Sequence, residues 1–230
     1  KELSKMKDDF LAVASHDMRS PFNGILGFLE ILLSDSELKE EHRKYLTLIQ
    51  ESAENQLRYV NDILDILKFE SGEIKINPEK ANIEEIILTS LSALSILAKK
   101  KNITLDTEIL TDKQIMIDVP KITQALNNLI SNAIKFTPEN GKIVVKAFEN
   151  ENHYLEIHVI DSGIGIPENS FSNLFKMYQQ VHRAGTDGEK GTGLGLSICK
   201  KLIEAHKGKI SVKSKVNEGS DFYFILPYDN

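Results

Sequence analysis

The sequence contains no tryptophan, a single cysteine and six prolines among 230 residues, and aromatic residues make up only 7% of it. Because Cys199 cannot form an intrachain disulfide, we expect a reducing, cytoplasmic location. No apolar run approaches the roughly 18 residues that a membrane helix needs, and no signal peptide is visible. The chain begins inside a charged helical pattern, so we expect a fragment without direct membrane contact, any membrane anchor lying upstream.

An excess of positive charge is also missing. The 28 Lys and Arg side chains against 34 Asp and Glu give a net charge of −6, which argues against nucleic acid as a partner. Residues 1–71 hold 9 basic and 14 acidic side chains, whereas the charges of the remaining residues are nearly balanced. This asymmetry indicates two differently built parts.

The first 71 residues have the apolar spacing of two long helices. The first helix carries apolar residues three and four apart, and we expect Pro21 to kink it. The second helix should end at Ser71-Gly72. Because two amphipathic helices bury little apolar surface alone, we predict an antiparallel hairpin that pairs with a second copy as a homodimeric four-helix bundle. The alternative is a hairpin packed on its own C-terminal domain.

Short strands and helices alternate in residues 72–230. The patterns predict strands at 74–77, 103–109, 115–117, 142–149, 154–160, 209–213 and 221–226, and helices at 83–100, 120–135 and from about 191 to 206. Residues 161–190 should be rich in loops. The whole chain is thus predicted to be α+β, with a helical hairpin followed by an α/β sandwich whose mixed sheet has helices on one face.

Glycines are concentrated in two runs, at residues 161–166 after a predicted strand and at 191–196 at the start of a predicted helix. Bare backbone N–H groups at a helix N-terminus favour phosphate. The second run has Leu196 where a dinucleotide fingerprint has its last glycine, and no P-loop motif occurs. Each run by itself is equally compatible with a turn beside a closely packed helix.

Polar residues interrupt the predicted helix before these runs. Asn128, Asn132 and Lys135 are four and three residues apart and therefore share one helical face. Amide oxygens suit a magnesium ion that bridges nucleotide phosphates, and a lysine neutralises phosphate charge. The alternative is a solvated polar face.

Residues 128–136, 161–166, 191–196 and 219–222 resemble, in order and style, the nucleotide-binding boxes of the Bergerat-fold ATPases. That superfamily includes gyrase, heat-shock chaperones, mismatch-repair proteins and histidine kinases. The resemblance implies ATP between a helical layer and the sheet, with Asp161 accepting from the adenine amino group and Asn132 and Asn128 holding magnesium. Residues 179–190 would form a mobile lid that carries Arg183 and Lys190. The other residues that the resemblance assigns to ATP are Lys135, Phe136, Gly163, Gly165, Ile166, Tyr178, Gly191, Thr192, Gly193, Leu194, Gly195, Leu196 and Ser220.

One position separates the members of this superfamily. The hydrolases typically carry a glutamate four residues before the magnesium-binding asparagine, and this sequence has Asn128 there. Because an amide cannot act as a general base, transfer to another acceptor is favoured over hydrolysis.

An acceptor is available in the first predicted helix. His16 is followed by Asp17, Arg19 and Pro21, a pattern that resembles the H-box of two-component sensor histidine kinases. The resemblance implies that His16 accepts the γ-phosphoryl group of ATP and that Asp17 is the neighbouring acid–base residue. The phosphoryl group would then pass to an aspartate of a response-regulator receiver domain. A lone histidine on a helix, without the other motifs, would be a surface residue.

Two positions depart from that family. Ser20 stands where a threonine or asparagine often positions water to dephosphorylate the regulator, so phosphatase activity remains open. Met177-Tyr178 replaces a common Pro-Phe beside the lid, after Phe175. Two other classes of function are also considered: a scaffold that binds nucleotide without transferring phosphate, and a Bergerat-fold ATPase that drives conformational work. Asn128 and the H-box disfavour the second.

Overall fold

A computed structural model describes residues 2–70, 75–176, 185–189 and 192–228, and within them all side chains except those of residues 2–16 and 68–70. The chain forms two units, Lys1–Glu73 and Ile74–Asn230. In the described part of the chain, no helix is both long and apolar enough to cross a membrane.

The first unit is a hairpin of two helices, α1 (Glu2–Ser34) and α2 (Glu40–Glu70), as predicted. Helix α1 continues without a break through Pro21. The hairpin turn is held by Arg43, whose guanidinium donates to the backbone oxygens of Leu33 at 2.7 Å and Asp35 at 2.9 Å. A cation at the end of α1 satisfies carbonyl groups that have no partner inside the helix.

The hairpin buries one apolar face and exposes another. Leu29, Ala53, Leu64 and Ile66 are buried within a single chain. A second set of apolar side chains is between 43% and 72% exposed: Met18, Ile25, Phe28, Ile31, Leu32, Tyr45, Leu48, Ile49 and Ile63. A single hairpin therefore leaves an apolar surface without cover, as a helix of a larger bundle does.

The second unit is a mixed five-stranded sheet with a small two-stranded sheet beside it. In chain order its elements are β1 (Glu79–Asn82), α3 (Ile83–Lys100), β2 (Thr104–Ile109), β3 (Gln114–Ile117), α4 (Val119–Phe136), β4 (Lys142–Glu149), β5 (Tyr154–Asp161), a 3₁₀ turn (Glu168–Ser170), α5 (Phe171–Leu174), α6 (Gly195–Ala205), β6 (Lys209–Lys215) and β7 (Gly219–Pro227). The strand order is β2-β4-β5-β7-β6, with only β2 and β4 parallel, and β1 pairs with β3. This confirms the predicted mixed sheet.

One predicted strand is wrong. Residues 75–78 have no regular structure, and the strand forms instead at Glu79–Asn82, where it pairs with β3. Pro78 has no N–H group for a strand ladder, and the N–H of Asn77 donates to the Asp118 carboxylate at 3.0 Å. The 3₁₀ turn and α5 were missed because both are too short to show a periodicity.

Helices α4 and α6 are tied together at one end by His206, which is fully buried. Its Nε2 atom accepts the backbone N–H of Asp118 at 3.0 Å, and its Nδ1 lies 2.8 Å from the backbone oxygen of Leu202. Burial lowers the pKa of His206, so the ring is neutral and Nδ1 donates to that oxygen. Because Asp118 caps α4 and Leu202 lies in α6, the imidazole sets the spacing of the two helices that carry the candidate site.

Candidate functional site

The polar face of α4 points toward the start of α6. The opposite face of α4 is apolar and buried, which leaves Asn128, Asn132 and Lys135 half-buried at its edge. A Cβ atom added to Gly195 would lie 3.6 Å from the Asn128 amide, so this side chain faces the first residue of α6. Burial lowers the pKa of Lys135, although the Glu189 carboxylate opposes the shift. The Asn128 amide thus lies beside the second glycine run, on a helix whose Asn132 and Lys135 are also only half-buried.

Asp161 ends β5 and is 6% exposed. Its Oδ1 atom accepts the backbone N–H groups of Gly163 at 2.8 Å and Ser220 at 3.2 Å. Burial raises the pKa of this carboxyl to about 6, although both hydrogen bonds favour the charged form. Both hydrogen bonds fall on Oδ1, and among the described residues Oδ2 accepts none.

Two glycines allow the backbone to close around Asp161. A Cβ atom at Gly163 would lie 2.5 Å from the backbone oxygen of Phe136 and 2.6 Å from Asp161 Oδ1. Gly219 has a φ of +91°, and its Cβ would lie 2.0 Å from the backbone oxygen of Asp161. Any side chain at these positions would push β5, β7 and the end of α4 apart.

The end of the first glycine run is hydrogen-bonded to the strand pair β6–β7. The backbone N–H of Ile166 donates to Ser214 Oγ at 2.8 Å. That hydroxyl in turn lies 2.7 Å from the backbone oxygen of Gly219 and 2.9 Å from Ser220 Oγ. Ile166, Ser214 and Ser220 therefore belong to one hydrogen-bonded network, and Gly165 packs against β6, where a Cβ atom would lie 2.0 Å from the backbone oxygen of Lys215.

The second glycine run ends at a bare helix N-terminus. Helix α6 begins at Gly195, and the capping residue, Leu194, offers no side-chain hydrogen bond. Thr192 accepts the N–H of Leu194 at 3.2 Å, which shapes the turn before the helix. In this part of the described chain, the first N–H groups of α6 thus lack a side-chain cap, and such groups attract anions.

Aromatic rings border the same region. Lys135 Nζ lies 4.8 Å from the centre of the Phe136 ring. Phe175 packs edge-on against Phe222, with ring centres 6.4 Å apart. Of the aromatic residues that the resemblance names, Phe136 and Phe175 thus make contacts in the described part of the chain, whereas Tyr178 lies outside it.

The structure adds a lysine that the sequence analysis missed. Lys101 is 5% exposed, and its ammonium group hydrogen-bonds to the end of α4 and to residues 186 and 189. In the sequence it is the last of three consecutive lysines, a pattern typical of a solvated helix end. No local signal distinguishes it from Lys99 and Lys100.

In the first unit, Arg19 of the H-box connects the two helices of the hairpin. Its Nε donates to Asn61 Oδ1 at 2.6 Å and thereby joins α1 to α2. Asp17 and Ser20 are exposed. His16 lies within α1, but its side chain is outside the described set.

Several predicted residues lie outside the part of the chain that the structure describes. They are Met177, Tyr178, Arg183, Lys190 and Gly191, with most of the predicted lid. Among the described residues, no group of three or more His, Cys, Asp or Glu side chains is arranged to hold a metal ion.

Two family models match the chain. Residues 6–72 match the His Kinase A (phospho-acceptor) domain, and residues 117–230 match the histidine kinase-, DNA gyrase B- and HSP90-like ATPase family. The sensor protein GacS of Pseudomonas syringae is 40% identical over 98% of this chain and 25% of its own length. Histidine kinase 5 of Arabidopsis thaliana is 39% identical over 95% of this chain and 26% of its own. The chain spans about a quarter of the length of these relatives.

Solved structures agree with these matches. Full-length ShkA in complex with AMPPNP is 30% identical, with a TM-score of 0.77 over 96% of this chain and 46% of that one. The catalytic domain of the histidine kinase ThkA is 33% identical, with a TM-score of 0.59 over 67% of this chain and 99% of that one. With a phospho-acceptor hairpin followed by an ATPase-type sandwich, the chain belongs to the histidine kinase family and represents the catalytic core of a two-component kinase.

Proposed function

We propose that this chain transfers the γ-phosphoryl group of ATP to His16 and then to an aspartate of a response-regulator receiver domain. The observation that carries the proposal is the site around Asp161. There a buried carboxylate, the amides of α4 and the bare N-terminus of α6 are held within one unit. The phospho-acceptor match over residues 6–72 supplies the second substrate within the same chain.

The nucleotide base is assigned to Asp161 and the phosphates to α6. Asp161 Oδ2 accepts the adenine amino group, because Oδ1 is already engaged by two backbone N–H groups. The N–H groups that begin α6 at Gly195 and the ammonium of Lys135 then face the phosphates. The AMPPNP complex of ShkA supports a nucleotide at this fold. We also assign phosphate binding to Gly191, Gly193, Arg183 and Lys190. Tyr178 is assigned to the aromatic residues that border the nucleotide.

Magnesium fits the amide face of α4. Asn132 and Asn128 supply oxygen ligands, which magnesium prefers, and the ion completes its shell with water and phosphate oxygens. A magnesium ion held this way would neutralise phosphate charge.

The reaction is a displacement at phosphorus. A ring nitrogen of His16 forms a bond to the γ-phosphorus while the bond to the β,γ-bridging oxygen breaks and ADP leaves. Asp17 takes up the proton that the imidazole loses. Asn128 cannot activate water as a base, which favours transfer to histidine over hydrolysis.

The proposal assigns residues 1–71 to dimerisation and phosphotransfer and residues 72–230 to ATP binding. The apolar surface on α1 and α2 supports pairing with a second hairpin as a homodimeric four-helix bundle. The receiver domain would dock on this hairpin, in the cytoplasm, where the thiol of Cys199, the single cysteine of the sequence, stays reduced.

The test is incubation with γ-labelled ATP and magnesium. Wild type should acquire label on the protein, whereas His16→Gln should bind ATP and stay unlabelled. Bound ATP without label in wild type would favour a nucleotide-binding scaffold instead. Phosphate release without label would favour an ATPase.

A further inference from the structure

A buried ammonium joins two parts of the nucleotide site that are distant in sequence. Lys101 Nζ lies 3.1 Å from the backbone oxygen of Ile134 and 3.3 Å from that of Lys135, at the end of α4. The same atom lies 2.5 Å from Thr186 Oγ1 and 3.1 Å from Glu189 Oε1. A buried cation is retained only when it is well paired, so all four acceptors are part of one structure.

Residues 185–189 form a closed turn, here called the anchor loop. The N–H of Gly185 donates to the backbone oxygen of Glu189 at 2.9 Å, and the N–H of Gly188 donates to that of Gly185 at 3.0 Å. The Glu189 carboxylate also accepts the N–H of Asp187 at 2.9 Å. The loop thus holds its own shape and can act as a rigid attachment point.

The anchor loop docks on the end of α4 through Thr186. Its N–H donates to the backbone oxygen of Lys135 at 3.1 Å, and its hydroxyl lies 3.1 Å from the backbone oxygen of Thr137. A Cβ atom at Gly185 would lie 2.6 Å from Lys135 Cγ, so the loop packs directly on the Lys135 stem. Loop position and Lys135 position are therefore coupled.

We propose that Lys101 is a positioning residue for the phosphates of the bound nucleotide. The inference rests on the proposed function, because the phosphates are assigned there to Lys135 and to the start of α6. Thr192 follows Glu189 by three residues, which span at most roughly 11 Å, so fixing Glu189 confines Thr192, whose hydroxyl accepts the N–H of Leu194 at the start of α6. Lys101 touches no substrate and acts by holding the anchor loop against α4.

The test compares Lys101→Met with Lys100→Met, a matched change at an exposed neighbour in the same lysine run. Dissociation constants are measured by calorimetry for magnesium ATP and for adenosine, which carries no phosphate. We expect Lys101→Met to weaken ATP binding about tenfold and adenosine binding less than twofold. Lys101→Arg should recover part of the loss, and Lys100→Met should match wild type.

If Lys101→Met fails to fold, two variants in the anchor loop test the same role. Thr186→Val removes the hydroxyl that accepts from Lys101, and Glu189→Gln removes the paired charge. Both variants should weaken the binding of ATP and leave the binding of adenosine unchanged. Combining Lys101→Met with Glu189→Gln should add little to Lys101→Met alone, because both break one link.

The positioning role would be overturned if Lys101→Met weakened the binding of ATP and of adenosine equally. It would also be overturned if the losses of ATP affinity in the double variant were fully additive. The same holds if Thr186→Val and Glu189→Gln bind ATP as wild type does. Failure of the proposed function is recognised separately, since wild-type protein would then bind ATP without acquiring label on His16, or would bind no ATP at all.

Discussion

Asp161 Oδ1 accepts a hydrogen bond from the N–H of Gly163 at 2.8 Å, at a position where a Cβ atom would collide with that same oxygen. The carboxylate assigned to the adenine is therefore held by a turn that only glycine allows. The turn fixes Asp161 before any ligand arrives, while burial disfavours its charge and raises its pKa to about 6. Preorganisation of this kind lowers the stability of the free protein and favours ligand binding.

The first prediction is that Asp161→Asn stabilises the free protein and weakens ATP binding. The folded pKa of about 6 lies above the ordinary value of 3.8, so the stabilising effect of this shift is complete below pH 3.8 and is lost as pH rises through 6. Replacing the charge should raise the free energy of unfolding at pH 8 by roughly 2–3 kcal/mol. The gain should vanish near pH 4.

Urea unfolding at pH 8 and pH 4, with calorimetry for ATP, checks this prediction. Asp106→Asn is the control, because that carboxylate is 47% exposed and its loss should change stability by less than about 0.5 kcal/mol. An Asp161→Asn protein that is less stable at pH 8, or that binds ATP normally, would contradict the assignment.

The second prediction separates a glycine that the fold requires from one that the ligand requires. Gly163→Ala should destabilise the protein by several kcal/mol, because its Cβ meets backbone at 2.5 Å. Gly195→Ala should fold with unchanged or slightly higher stability, since its nearest neighbours lie at 3.6 Å and alanine favours a helix. Its added methyl group would nevertheless stand where we propose that the phosphates approach α6.

Thermal unfolding and ATP titration of both variants test these two roles. Gly195→Ala should keep its melting temperature and bind ATP at least about tenfold more weakly. If it bound ATP with wild-type affinity, the phosphates would not lie against the start of α6.

The third prediction concerns His158, whose ring stacks between Phe148 and Tyr223 and contacts Asp221 at 2.8 Å and Glu156 at 2.9 Å. Burial lowers the pKa of His158, but the hydrogen bonds and charges of the two carboxylates outweigh it and the pKa lies above 6.5. The resulting stabilisation is complete below pH 6.5 and is lost as pH rises through the folded pKa.

His158→Gln should therefore cost more stability at pH 6 than at pH 9, measured by urea unfolding. His42→Gln, an exposed change on α2, serves as the control for the loss of a histidine and should change stability by less than about 0.5 kcal/mol. A loss for His158→Gln that is equal at both pH values would show that the ring acts by packing alone.

The fourth prediction addresses Ser20, which is exposed on α1 four residues after His16. A serine hydroxyl can hydrogen-bond water, although with a shorter reach than an amide. If the core dephosphorylates its regulator, Ser20→Ala should abolish that activity and leave labelling of His16 within about twofold. The measurement is the decay of labelled receiver domain with and without the kinase. Decay at the spontaneous rate with wild type would show that no phosphatase activity exists.

Much of the architecture could be predicted because the long elements carry strong periodicity. Helix α3 and strand β4 have the predicted bounds, and α4 differs from its prediction by one residue at each end. The strand near residue 77 was misplaced because Pro78 removes a backbone donor, a local effect that the apolar pattern around Ile74 and Ile76 outweighed in the sequence analysis. Periodicity reports which side of an element is apolar and says little about single backbone bonds.

The sequence indicated individual residues of the candidate site but not the long-range contacts between them. Asn128, Asp161 and the glycine runs stood out together because their order resembles the boxes of the Bergerat-fold ATPases, whereas each glycine run by itself was equally compatible with a turn. Lys101 could not be found this way, since its partner Thr186 is 85 residues away in sequence. Its role depends on burial, which a run of three lysines conceals.

The proposed function requires that His16 receive phosphate from ATP bound in this core. The most direct measurement is incubation of wild type and His16→Gln with γ-labelled ATP and magnesium, followed by treatment of the labelled protein with acid and with alkali. Label that is lost in acid, survives alkali and is absent from His16→Gln, while both proteins bind ATP, is the predicted result. Label of equal amount in His16→Gln, or none in a wild type that binds ATP, would contradict the claim.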